Sequence, residues 1–158
     1  MADGPEDRLR EAGEAILAGV ERCLPGWVEA QVERLLDAWG RAEPGVRTRA
    51  KAEAAAAGAR AATRVSAELR ALFTVDPVAQ RAAPLEIVRR AYREPTAVLV
   101  AAGVPAVVRD PFDERAWPDD RYGLVVRNLG DLGDPDLAPL HLVWGVAKAA
   151  VLRSRREL

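Results

Sequence analysis

Apolar residues recur at steps of three and four along most of this chain, the spacing that places them on one face of a helix. The first stripe is Leu9, Ala12, Ile16, Gly19 or Val20, and Cys23, with Asp7, Arg8, Glu11, Glu14 and Arg22 largely off it. It predicts a helix over 6–24, and Pro25-Gly26 then punctuates the chain. A second stripe, Val28, Val32, Leu35 with Leu36, and Trp39, predicts a helix over 26–39 stopped by Gly40. The third is the longest, over 44–73: Ala50, Ala54, Ala57, Ala61, Val65, Leu69 and Leu72. Its first half offers only Ala and Gly to a neighbour, so backbones can approach closely there. Its last third offers larger side chains and should form the wider end of a bundle.

Beyond Thr74 the texture changes. Asp76-Pro77, Ala83-Pro84 and Glu94-Pro95 cut the chain into short helices near 77–82, 84–93 and 95–102. From Val104 to Gly133 the period fades into an irregular acidic loop, 104–133, whose segments 104–109 and 122–129 could pair as a short β-ribbon. A closing helix is predicted over 135–155, with the stripe Leu137, Leu140, Trp144, Ala147 and Val151. The expected fold is therefore all-α: an antiparallel bundle of three longer N-terminal helices (1–75), joined to a short-helix portion (76–158). No Gly/Ser-rich linker separates the two, so a single helical domain is expected over 1–158.

An acid precedes proline at Glu43, Asp76, Glu94, Asp110 and Asp134. Proline suits the first helical position, and an acid before it can cap free backbone N–H groups. The acid-rich stretch Asp110–Gly123 is explained mainly in this way, as a short helix from Asp110-Pro111 followed by a turn at Trp117-Pro118-Asp119-Asp120.

Charge is nearly balanced, 23 basic against 24 acidic residues, which removes the simplest electrostatic case for nucleic-acid binding. Its distribution alternates: residues 1–40 are net −5, 41–70 net +4, 81–93 net +3, 104–139 net −4 and 140–158 net +3. Segments of opposite sign that pack on each other fit this better than one polyanion-seeking face does. Only Lys51 and Lys148 are lysines, and with the abundance of Ala this suggests a bacterial, high-GC source. The acidic N-terminal stretch lacks the apolar core of a signal peptide, and no apolar run is long enough to span a bilayer. A cytoplasmic protein without membrane contact is expected.

The chemical inventory is thin. There is one His and one Cys, and no zinc spacing, phosphate loop or nucleophile elbow. Cys23, on an apolar stripe, is expected to be buried and inert. His141 shares a helical face with Trp144 and Lys148 and is expected to be partly buried and structural. No catalytic residues, metal site or cofactor are expected. The function expected first is that of a non-enzymatic adaptor, regulator or accessory subunit, holding a protein partner or a second copy of itself. The surface singled out for it is Phe112, Trp117, Arg121 and Tyr122, three aromatics out of eight within eleven residues. Two alternatives remain. One is a small enzyme using Asp110, Asp113, Glu114, Asp119 and Asp120, with a divalent metal. The other is a nucleic-acid-associated regulator using a basic patch of Arg89, Arg90, Arg93, Lys148, Arg153, Arg155 and Arg156.

Overall fold

The computed structural model describes residues 4–39, 43–103 and 126–158, apart from the side chains of Ala38, Trp39 and Tyr92. The fold is all-α: 83% of the described residues are helical and none is in a strand. Among the described residues five α-helices occur in chain order: α1 (Pro5–Trp39), α2 (Pro44–Thr74), α3 (Pro84–Arg89), α4 (Arg93–Ala101) and α5 (Leu140–Arg156). Single 3-10 turns lie at Arg90–Tyr92, Leu129–Leu132 and Pro135–Leu137.

The largest departure from the sequence pattern is at Pro25. The two helices expected over 6–24 and 26–39 are one 35-residue helix with Pro25 inside it. The longer N-terminal helices are therefore two, not three. A proline within a helix forfeits one backbone hydrogen bond and costs about 3 kcal/mol. Here Val20, Leu24, Trp27 and Val28, on both sides of the proline, are almost fully buried. Each such side chain contributes about 1.5–3 kcal/mol of transfer free energy, so together they outweigh the lost bond. Trp27 is thus a core residue within a continuous helix.

Helices α1 and α2 run antiparallel. Phe73 lies over Gly13, Arg70 pairs with Glu21 at 2.7 Å, Lys51 with Glu33 at 3.5 Å and Arg47 with Asp37 at 2.9 Å. All seven residues of the α2 stripe are buried, as their period predicts. Of the first stripe, Leu9, Ala12, Ile16 and Val20 are buried, whereas Cys23 is only half-buried against the core. The thiol is less enclosed than the pattern implied because the α1 turn that faces α2 is filled by Leu24, Trp27 and Val28.

The segment 84–102 returns antiparallel to α2, tied to it by the ion pairs Arg90–Glu68 (2.7 Å) and Arg64–Glu94 and by Arg49 donating to the Ala102 carbonyl. Two of its expected boundaries move. The helix expected over 84–93 ends at Arg89 and passes through a 3-10 turn, because Pro95 cannot donate to the carbonyl four residues back. Helix α4 starts at Arg93 instead of 95, with Pro95 in its first turn. No helix forms over 77–82. Ala79 N–H closes a turn on the Asp76 carbonyl, and the Gln80 carbonyl accepts from Lys148 Nζ at 2.5 Å.

The closing helix begins later than expected, at Leu140 rather than 135. Asp134 does cap, accepting from Asp136 N–H at 3.0 Å, but it caps only one 3-10 turn. Pro139 has no N–H to give to the Pro135 carbonyl, so the helix restarts after it, with Val143 N–H bonded to the Pro139 carbonyl. Helix α5 lies antiparallel to α1. Arg155 near its end meets Glu6, and Asp134 just ahead of it pairs with Arg22 at 2.7 Å. Leu137 drops into a notch at Gly19, where a Cβ would stand 2.1 Å from its Cδ2. The proposed ribbon segment 104–109 and most of 122–129 lie outside the described residues. The described end of the second, Val126–Leu129, runs into the 3-10 turn.

Candidate functional site: the outer face of α5 and the cleft beside it

Helix α5 is apolar on two opposite faces. Leu140, Trp144, Ala147 and Val151 face the bundle; Trp144, Ala147 and Val151 are buried and Leu140 is half-buried. Leu142 and Val146, continued by Ala149 and Arg153 at steps of four, three and four, form the opposite line, with Val143 beside it. Leu142 is 70% exposed, Val143 48% and Val146 68%. Of the seven large apolar side chains exposed among the described residues, four are on α5, Leu152 being the fourth. Single exposed apolar residues are ordinary, whereas a grouped set on one helix face marks a contact surface.

Gly145 lies beside this line. It is exposed, and a Cβ built on it would meet nothing within 4 Å. A glycine in a helix interior costs about 1 kcal/mol relative to alanine, and no contact at Gly145 among the described residues accounts for it. It leaves the outer surface of α5 open to close approach from outside.

The sequence pattern held the signal for this face. The stripe Leu137–Val151 accounts for one side of the helix only and leaves Leu142, Val143 and Val146 unexplained, a helix apolar nearly all round.

On the other side of α5, toward the N-terminal end of α1 and the C-terminal end of α2, lies a cleft of about 460 Å³. Leu9, Phe73, Trp144 and Val151 line it. Phe73 and Trp144 meet in a tilted contact with centroids 6.3 Å apart, and Lys148 Nζ stands 5.0 Å from the Trp144 ring centroid. The buried Trp144 Nε1 has no hydrogen-bond partner among the described residues. The rim is charged, and its cations are matched. Arg10 pairs with Asp7 at 2.9 Å, Arg70 with Glu21, and Arg155 with both Asp76 (2.9 Å) and Glu6 (3.5 Å). The Arg70 hydrogen bond holds the Glu21 carboxyl below the usual carboxylate range, and the bond to Asp76 raises the Arg155 guanidinium further. Every rim cation has an acidic partner, and Glu14 adds an exposed carboxylate in no ion pair among the described residues, so the cleft presents an apolar floor under a slightly acidic rim. His141 is not among its lining residues. It is half-buried on α5, as expected, and its Nδ1 is without a hydrogen-bond partner among the described residues.

The seven residues of the candidate basic patch have different surroundings. Arg89 Nε donates to the Val126 carbonyl at 2.8 Å and anchors the start of segment 126–133. Arg90 pairs with Glu68, and Arg93 opens α4 as an exposed side chain. Lys148 is held by the Gln80 carbonyl and the Trp144 ring, and Arg155 by Asp76 and Glu6. Arg153 and Arg156 are exposed and in no ion pair among the described residues. Phe112, Trp117, Arg121 and Tyr122 lie outside the described residues, as do Asp110, Asp113, Glu114, Asp119 and Asp120. Among the described residues no three His, Cys, Asp or Glu side chains gather as a metal site, and no helix is long and apolar enough to cross a membrane.

No protein-family model matches the chain, and no curated protein or solved structure matches it significantly.

Proposed function

We propose that this protein acts by holding another polypeptide, as an adaptor, regulator or accessory subunit, and that the outer face of α5 is part of the surface it uses. The observation that carries this is the exposure of Leu142, Val143 and Val146 on a helix whose opposite face is already packed into the bundle. Leaving such side chains in water forgoes about 1.5–3 kcal/mol each, which a partner recovers by covering them. The convex outer side of a helix suits a polypeptide surface better than a small molecule, which needs concavity.

The test is affinity capture from the source cells with Val146→Asp and, as a control on the solvent face of α2, Ala55→Asp. Both side chains are exposed, so both variants should keep the wild-type helical circular dichroism. The captured set should be lost with Val146→Asp and kept with Ala55→Asp. Identical sets from wild type and Val146→Asp would reject the proposal.

A further inference from the structure

We infer that the polypeptide covering the outer face of α5 is a second copy of this chain, packed antiparallel about that helix. The inference rests on the interaction reading above and adds the occupant. Its basis is the order of chemistry along the strip. Ahead of the helix stands Asp136, exposed and in no ion pair among the described residues. The exposed apolar group Leu142, Val143 and Val146 follows, with Gly145 among them. At the far end come Arg153 and Arg156, exposed and equally unmatched among the described residues. An acid–apolar–base strip complements itself when one copy is turned end for end, and in a parallel pairing like would face like.

The register follows from the apolar group. Setting Leu142 of one copy against Val146 of the other, and the reverse, buries both twice over. It brings Arg153 of each copy to the level of Pro135-Asp136 of the other. The remaining cations of the helix do not disturb this, because Lys148 is held by Gln80 and Trp144 and Arg155 by Asp76 and Glu6. The carboxylate nearest Asp136 in sequence, Asp134, is already matched by Arg22. A 17-residue helix is about 25 Å long, so one such pair makes an interface at the small end of the specific range and a weak dimer.

The experiment is sedimentation equilibrium on the full chain over about 1 µM to 1 mM, the range in which a small interface dissociates. Wild type should move from monomer to dimer within it. Val146→Asp should stay monomeric throughout while keeping its circular dichroism. Arg153→Glu and Asp136→Arg should each weaken the dimer by roughly tenfold, since symmetry counts each altered pair twice. The double variant Arg153→Glu/Asp136→Arg should restore it to near the wild-type level, because each new glutamate meets the other copy's new arginine.

Wild type monomeric at every concentration would overturn the inference. If Val146→Asp still lost its captured partner, the interaction reading would stand with a different occupant. A dimer that survives Val146→Asp, or a charge swap that fails to restore association, would equally overturn it, as would a monomer that moves onto anionic lipid vesicles through this face.

Discussion

Gly58 of α2 lies against the backbone of Pro25 in α1: a Cβ there would stand 2.9 Å from the Pro25 carbonyl oxygen and 3.1 Å from its Cα. The obstacle is backbone on both sides and cannot swing away. The usual sign of a helix substitution should therefore reverse. Gly58→Ala should lower stability by about 1–3 kcal/mol, the cost of overpacking, although alanine is the better helix former. Gly26→Ala, one residue beyond the proline and with nothing within 4 Å of its Cβ, should raise stability by up to about 1 kcal/mol. Urea denaturation of the two variants against wild type decides it, and a stabilised Gly58→Ala would show that the helices are not in this contact.

Trp144 ties the inner side of α5 to the end of α2, and it is 3% exposed. Trp144→Ala should cost about 3–5 kcal/mol, as for other buried aromatics. The neighbouring Lys148→Met should cost less, because it removes one part-buried donor and a cation–ring contact of about 0.5–1 kcal/mol while keeping the apolar stem. Equal losses from the two would mean that the Lys148 bond to the Gln80 carbonyl, rather than Trp144, holds α5 in place.

What the sequence made legible was what period alone decides. The α2 stripe from Ala50 to Leu72 and the inner face of α5 are buried as their spacing predicts, since burial and helical period express the same free energy. The errors cluster at prolines, where a local rule competes with tertiary packing. At Pro25 the local cost lost to four buried neighbours. At Pro139 the local cost prevailed and delayed the closing helix by five residues, although the acid–proline start at Asp134 was a sound local signal. The outer face of α5 is legible only in what the inner stripe leaves over, Leu142, Val143 and Val146, since one stripe suffices to predict the helix. The Gly58–Pro25 contact was foreshadowed only as a tendency, in the Ala/Gly half of α2. Its partner could not be read, since it depends on a helix running through a proline.

Arg155 joins three elements through Glu6 and Asp76, and its geometry invites a large estimate of its worth. All three side chains are about half exposed or more, at 45%, 73% and 50%, and solvent screens such pairs strongly. Arg155→Met should therefore leave stability close to that of wild type, and added salt should shrink any difference further. A loss of several kcal/mol at physiological salt would show that the junction is drier than its exposure indicates.

The acid limb of the stability curve should report on Asp134 and Glu21. The Asp136 backbone N–H and, after it, the Arg22 guanidinium hold the Asp134 carboxyl below its ordinary range, and the Arg70 hydrogen bond does the same for Glu21. A carboxyl whose affinity for protons is lower folded than unfolded stabilises the fold above its unfolded pKa. That stabilisation is lost as pH falls through the ordinary carboxylate range and on through the lowered folded value. Arg22 contributes no slope there, because Asp134 raises it further and it stays charged throughout. Denaturation midpoints from pH 7 to pH 3 should accordingly fall on the acid side. Asp134→Asn keeps an oxygen to accept from the Asp136 N–H but cannot ionise, so it should start lower at pH 7 and fall less steeply. The same acid slope in wild type and Asp134→Asn would place the pH dependence on other carboxylates and show that the Arg22–Asp134 tie between α1 and the start of α5 is idle in solution.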